Sequence, residues 1–331
     1  ATVASTENGI PPIELSFDEF RLSTFSGLLE RDTALVSGFL NGKVRLSNLA
    51  NSVIADGEVK IDSLKIKNHM MGVLNARIST PTDGEYGIDA NLVGNQNDVV
   101  INAKYGKEID ATVLMNSLNL ASAEAFTMGE VTAMSGITTG ELKITGPVMT
   151  PQVRGTLKFM QAKATVSFLN APVTIDNEEI FFNELGVGFQ EFTLMDSLGG
   201  MVNINGYVLT KDYSDFEFDL DVDAANFMAL GPKANNEQIF YGPAFIDSRI
   251  RITGNMDLPQ VDMNVKLRDK SEVTFVIPEE EPGIANREGV IVFVDKDNIV
   301  DSSLITVKDT ITLAPARLKG FEFSGNIEIT P

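Results

Sequence analysis

The stretch Phe216-Glu217-Phe218-Asp219-Leu220-Asp221-Val222-Asp223 decides the fold class. Every other residue is apolar, and each residue between is acidic. A strand sends successive side chains to opposite faces, so this segment has one apolar face and one negative face. On a helix the same residues would be smeared around the cylinder. The period of two recurs upstream in Val202, Ile204 and Val208, and in shorter pieces at Val187-Gly188-Phe189, Phe192-Thr193-Leu194, Val166-Ser167-Phe168 and Val173-Thr174-Ile175. An all-β fold is expected. Helical patches are short, at Ser23 to Glu30 and Ser122 to Thr127, and Glu279-Glu280-Glu281-Pro282-Gly283 reads as a solvated loop.

An internal repeat organises the chain. Ile144-Thr145-Gly146, followed by Pro151-Gln152-Val153, returns as Ile252-Thr253-Gly254, followed by Pro259-Gln260-Val261. A divergent copy lies upstream, with Gly42 and Gly57 in the places of Gly140 and Gly155, and Leu46-Ser47-Asn48 in the place of Ile144-Thr145-Gly146. Twelve equivalent positions are apolar: Val44, Leu46, Val59 and Ile61; Leu142, Ile144, Leu157 and Phe159; Ile250, Ile252, Val265 and Leu267. Basic residues stand between them, Arg45, Lys143 and Arg251 on the first strand and Lys60, Lys158 and Lys266 on the second. Each copy is therefore a hairpin, with a glycine of positive φ ending one strand and a proline opening the return. In the first copy Asn48 and Val53 replace the turn glycine and the proline, and in the last Ser248 and Met263 replace the two outer glycines. Leu22 matches Leu120, and Ser37-Gly38 matches Ser135-Gly136, which makes the unit about 100 residues, longer than a β-helix coil or a propeller blade.

Composition excludes several classes. The 331 residues carry 26 basic and 46 acidic side chains, a net charge of −20, which opposes nucleic acid and anionic membrane surfaces. Without cysteine there is no disulfide framework, no thiolate metal site and no cysteine nucleophile. A lone histidine, His69, cannot form a histidine cluster, and no G-x-S-x-G elbow accompanies it. The longest apolar run, Gly289 to Val294, is far short of a membrane span. The chain opens on Ala1 without a leader and is expected to be a piece of a longer protein.

Other features favour structural readings. Asp219, Asp221 and Asp223 resemble the start of a calcium loop, but Ala224 stands where glycine is needed and Leu230 where the bidentate Glu is needed. They read as a solvated strand face. Gly186-Val187-Gly188 lacks the third glycine of a dinucleotide loop and reads as strand punctuation. The recurrent lysines read as an outer-face row paired with acidic neighbours. Neither cofactor nor metal is expected.

Two architectures fit this pattern. Each repeat could close into a sandwich with a filled core. Alternatively, one continuous sheet could curl along its length and leave an apolar groove. Both put the same residues inside, so alternation alone leaves the choice open.

The copy from Gly140-Glu141-Leu142-Lys143-Ile144-Thr145-Gly146 through Pro151-Gln152-Val153-Arg154-Gly155 resembles the repeat of the TamB family within the AsmA-like proteins. Ile180-Phe181-Phe182-Asn183 to Asp196-Ser197-Leu198-Gly199 is similar to the segment that follows it there. Asn286-Arg287-Glu288-Gly289-Val290 with Val294-Asp295, and the ending Leu313-Ala314-Pro315 to Gly320 with Ser324-Gly325-Asn326-Ile327, resemble the Bacteroidetes-type members.

The resemblance implies an elongated β-taco, an antiparallel sheet whose open groove shields phospholipid acyl chains on the way from inner to outer membrane. It implies a periplasmic location, an inner-membrane anchor absent from this chain, a BamA-type outer-membrane barrel partner (TamA-like), support of outer-membrane protein assembly, and no enzymatic activity. The expected units are residues 1–110, 111–220 and 221–331, continuous in one groove. The expected lining is the twelve repeat positions with Val202, Ile204, Phe216, Phe218, Leu220 and Val222. The rivals are a carbohydrate-binding or glycan-active β protein, weakened by the absence of Trp, and a structural scaffold with a closed core.

Overall fold

Alternation of apolar and polar residues is realised strand after strand in a computed structural model, which describes residues 11–26, 36–50, 52–67, 69–82, 84–124, 127, 129–167, 169–231, 240–275 and 322–329. The elements are β1 (Ile13–Arg21), α1 (Ser23–Ser26), β2 (Val36–Ser47), β3 (Ile54–Ile66), β4 (His69–Thr82), β5 (Glu85–Gly94), β6 (Asn97–Tyr105), β7 (Glu108–Asn119), α2 (Leu120–Ala123), β8 (Val131–Pro147), β9 (Gln152–Val166), β10 (Ala171–Ile175), β11 (Glu179–Asn183), β12 (Gly186–Met195), β13 (Met201–Leu209), β14 (Glu217–Leu230), β15 (Phe240–Tyr241), β16 (Ala244–Asn255), β17 (Pro259–Leu267), β18 (Thr274–Phe275) and β19 (Glu322–Ile329). The loop expected at 279–283, the apolar run 289–294 and the family-like segments 286–295 and 313–320 lie outside the described residues, as do residues 27–30 of the first helical patch.

Among the described residues seventeen strands form one sheet, and β15 and β18 make a separate two-stranded pair. The main sheet is an antiparallel meander except at its last pair, where β19 runs parallel to β17. There is no second large sheet among the described residues, so the sandwich alternative does not hold. The expected curled sheet with short helices does. The second helix begins at Leu120 rather than Ser122, because Asn119 caps it by accepting from the Ala121 N–H at 3.0 Å. Residues 110 and 220, where two of the expected units end, fall within β7 and β14.

The repeat turns sit as expected. Gly146 and Gly254 have φ of +98° and +85°. Asn48 takes φ +54° in the first copy, a conformation asparagine tolerates better than most residues, so that turn survives its substitution. Gly140 and Gly155 do something else. At φ of +150° and +144°, an added Cβ would run into the Thr156 and Glu141 carbonyls of the paired strand. Gly42 and Gly57 meet the Glu58 and Lys43 carbonyls in the same way. Such glycine kinks bring two strands close and coil the hairpin. In the last copy Ser248 and Met263 stand in regular register with Val265 and Ile250, and the kink is missing.

A second bending device recurs and was not legible as a repeat. Asp18 and Glu19 lie opposite the single residue Asn41; Gln190 and Glu191 opposite Asn205; Ala225 and Asn226 opposite Asp247. These are β-bulges, which bend a strand and increase its twist. The second bulge residue has φ of +47°, +50° and +48° respectively. Its N–H, freed from the ladder, donates to the Oδ1 of the opposing Asn41, Asn205 or Asp247 at 2.8, 2.7 and 2.8 Å. A phenylalanine follows each bulge and returns to the apolar face. Phe17 and Phe20 therefore meet edge to face at 6.1 Å, and Phe189 and Phe192 at 5.5 Å.

Beyond the bulges the sheet packs. In a meander, alternate turns fall on opposite rims. All the buried apolar residues except Ala55 and Ala111 lie toward the rim that carries α2 and the β12–β13 turn. Two clasps close this rim. Asn97 donates to the Met71 carbonyl at 2.7 Å and the Ser122 hydroxyl at 3.2 Å, and accepts from the Asn119 N–H at 2.8 Å, which ties α2 back to β4 over the β5–β6 turn. Farther along, the buried Asp196 carboxylate accepts from Leu198, Gly200 and Met228 N–H groups at 2.7, 2.9 and 2.7 Å, which pins the β12–β13 turn to β14.

Gly155→Ala is expected to cost about 2–4 kcal/mol, because both its dihedral and its contact forbid a Cβ, whereas Gly146→Asn, which imitates the first copy, stays within about 1 kcal/mol. Urea unfolding of the two variants checks this. The bulge at Asn226 carries a pH signature. The Asn226 N–H, and after it Arg268 at 2.6 Å, hold the Asp247 carboxyl below the usual carboxylate range. Its contribution is thus present above the ordinary Asp range near pH ~4 and lost as pH falls through the lowered value. Asp247→Asn keeps an acceptor for the bulge and should flatten that part of the acid titration of stability, while Asn205→Ala, which has no acceptor, loses about 1 kcal/mol at every pH.

Candidate functional site

Cross-strand register puts the expected lining on one face. Val44 lies opposite Gly57, Leu46 opposite Ala55, Val59 opposite Ala76 and Ile61 opposite Leu74. Leu142 lies opposite Val113, Ile144 opposite Ala111 and Leu157 opposite Ile180. Phe159 meets Phe192 edge to face at 6.0 Å. Val202 and Ile204 lie opposite Ala224 and Val222, and Phe218, Leu220 and Val222 opposite Gly254, Ile252 and Ile250. Val265 and Leu267 lie opposite Ser248 and Ile246. Phe216 lies one residue before β14, and its carbonyl accepts from the Met256 N–H at 3.0 Å, next to the Glu217–Asn255 pair.

The rows are continuous. One runs through Phe20, Leu40, Ile61, Leu74, Leu92, Val99, Met115, Gly140, Leu157, Ile180, Phe189, Gly206, Leu220, Ile252 and Val261 without a polar residue. At about 4.8 Å per strand it spans roughly 65–70 Å along the sheet. Among the eighteen expected lining residues only Val202 is buried; the rest are half-buried. Large apolar side chains sealed between two layers would be buried as Val173 and Phe227 are at the packed rim. The arrangement offers a long apolar strip, sealed along one rim and accessible elsewhere.

The other face is a ladder of charge. Arg251 pairs with Asp219 and, at 2.7 Å, with Asp221, and Arg249 pairs with Asp223 at 3.1 Å. The three aspartates that resemble a calcium loop therefore have arginine partners on the next strand. Lys60, Lys158 and Lys266 reach Asp62, Glu179 and Glu328 at 2.8, 3.6 and 3.0 Å, the expected outer row. His69 opens β4 opposite Ile66, and Gly186-Val187-Gly188 begins β12. A cleft of about 1080 Å³ is lined by charged residues of this face together with Gly42, Gly57, Val59, Ala76 and Ala90 of the apolar rows. Its lining alternates in sign from strand to strand, Lys43 beside Glu58 beside Arg77 beside Asp89, so it largely neutralises itself.

Sequence reasoning missed a smaller cavity of about 290 Å³ on the rim of the repeat turns. Three turns that are distant in sequence enclose it, at 147–153, 183–184 and 210–213. The signal available was slight: the left-handed Tyr213 has φ +59°, within a polar turn.

Comparison with known families agrees with this architecture. Residues 190–329 match the family model described as the TamB C-terminal domain, from the β12 bulge through β19. Neither a curated protein nor a solved structure matches the chain. Over this stretch the chain is similar to the C-terminal domain of TamB-family proteins.

Proposed function

We propose that this chain is a segment of a periplasmic bridge that shields phospholipid acyl chains on its apolar strip during passage between inner and outer membranes. Similarity of residues 190–329 to the TamB C-terminal domain supports a place in the translocation and assembly module, with a TamA-like barrel of the BamA type as outer-membrane partner and an inner-membrane anchor elsewhere in the protein. Among the described residues no helix is long and apolar enough to cross a membrane. The three units, 1–110, 111–220 and 221–331, act as stretches of one track.

The observation that carries this reading is the unbroken apolar row across fifteen strands, buried at Leu92, Val99 and Met115 and half-buried along the rest. Each lipid CH₂ withdrawn from water gains roughly 0.8 kcal/mol, so such a strip offsets most of the cost of leaving a bilayer. The strip is uniform from strand to strand and needs no catalytic group. The charged face keeps the sheet soluble, and its register-matched ion pairs fix which side chains face the strip.

Photo-crosslinkers at Leu220 or Phe218 should capture phospholipid from vesicles, and those at Asp219 or Asp221 should not. Equal capture from both faces would overturn the reading. Leu220→Glu should reduce lipid capture more than it reduces stability, since a carboxylate at a half-exposed position keeps water. If Leu220→Glu instead unfolds the protein, the face is a closed core.

A further inference from the structure

Turn tips are ordinarily polar, because they run through water. Several tips on the rim of the repeat turns are not. The tip between β8 and β9 exposes Val148 and Met149, the tip between β11 and β12 exposes Leu185, and the tip between β16 and β17 exposes Met256 and Leu258; Met149 reaches 83%. A single exposed apolar side chain is common on any surface. These follow the repeat. Ala50, Val148 and Met256 stand two residues after Asn48, Gly146 and Gly254 in the three copies, and all three are exposed. Six strand spacings separate each from the next, roughly 29 Å along the sheet at about 4.8 Å per strand. The same hairpins carry Leu46, Ile144 and Ile252 of the strip, so each tip prolongs the apolar surface past its edge. An evenly spaced line of such tips on one rim fits an extended, deformable apolar phase better than a protein pocket. Charge narrows the choice. Lys107 and Lys211 stand on this rim among Glu184, Asp212, Asp215 and Asp257, so its excess is acidic and an anionic surface would be repelled.

We propose that this rim rests on a zwitterionic lipid leaflet, with Val148, Met149, Met256 and Leu258 dipping into its interface, so that acyl chains pass laterally between bilayer and strip across the open rim. The proposal rests on the function proposed above and adds to it the edge by which lipid enters or leaves. Apolar side chains at the tips gain by entering the acyl boundary, as those of an interfacial helix do. The opposite rim supplies the comparison. Leu198 is 66% exposed there, but its turn is pinned by Asp196 on the sealed side of the trough.

The chain has no cysteine, so a single introduced thiol can carry a polarity-sensitive fluorophore. The test labels Met149→Cys, Met256→Cys and Leu198→Cys in the full chain and adds phosphatidylcholine vesicles. Emission from positions 149 and 256 should shift to the blue, and emission from position 198 should not. Met149→Asp combined with Met256→Asp should weaken vesicle binding by roughly tenfold or more, the scale of two apolar side chains withdrawn from water. Urea unfolding of that variant should match wild type, because both side chains are exposed in the free protein. Equal shifts at all three positions, or none at 149 and 256, would overturn the docking rim. A blue shift that needs no vesicles and grows with protein concentration would assign the tips to a second copy of the chain and overturn it too. Lipid captured by a crosslinker at Leu220 without a vesicle-induced shift at 149 or 256 would overturn the docking rim and leave the strip intact. A shift at both tips without capture at Leu220 would keep the docking rim and overturn the transport reading.

Discussion

A single sheet with one apolar face cannot remain flat in water; it must bend until that face is sheltered. The rest of this molecule follows from how the bend is made. Two backbone devices supply it. Glycine kinks at Gly42, Gly57, Gly140 and Gly155 let paired strands approach where any Cβ would strike a carbonyl. Bulges at Glu19, Glu191 and Asn226 turn the chain through left-handed residues and carry it over onto the packed rim. Each bulge frees an N–H, and an Asn or Asp on the neighbouring strand accepts it. Curvature is therefore local and held by hydrogen bonds, and it requires no second layer.

This explains why burial is uneven. Apolar side chains beyond the bulges pack into two clusters, around Leu64, Met71, Leu92, Val99 and Met115 and around Val173, Val202 and Phe227. Clasps at Asn97 and Asp196 seal that rim. Toward the rim of the repeat turns, the same alternating pattern leaves residues such as Val44, Leu142 and Ile252 half-buried. A protein that needed only stability would have covered them. One sealed rim and one accessible strip form a trough, and residues 190–329, which build part of it, are similar to the TamB C-terminal domain.

Much of this was legible because a strand's side-chain period is fixed. Phe218, Leu220 and Val222 against Asp219, Asp221 and Asp223 announce a two-faced strand, and register then carries that sidedness across the sheet. The repeat turns were legible through Gly146, Gly254 and the prolines that follow them. The bulges were not, because they break the very period that was being followed. Phe17-Asp18-Glu19-Phe20 and Phe189-Gln190-Glu191-Phe192 place their rings three residues apart on one face. An alternation reading splits each segment in two at that point. Phe216 stands one residue before β14, where its carbonyl still accepts from the Met256 N–H of the neighbouring chain segment.

The sequence by itself determined which side chains share a face, since the pleat leaves them no choice, and it determined the hairpins, since only a few residues accept a positive φ. Whether that face would be closed against another sheet or left as a strip was decided by tertiary structure alone. Both outcomes satisfy the same alternation, and they differ only in curvature, which depends on contacts between residues far apart in the chain. The rim cavity belongs to the same category. Val153, Glu184, Lys211 and Tyr213 become neighbours only because three turns arrive on one rim, and no spacing along the chain records that meeting.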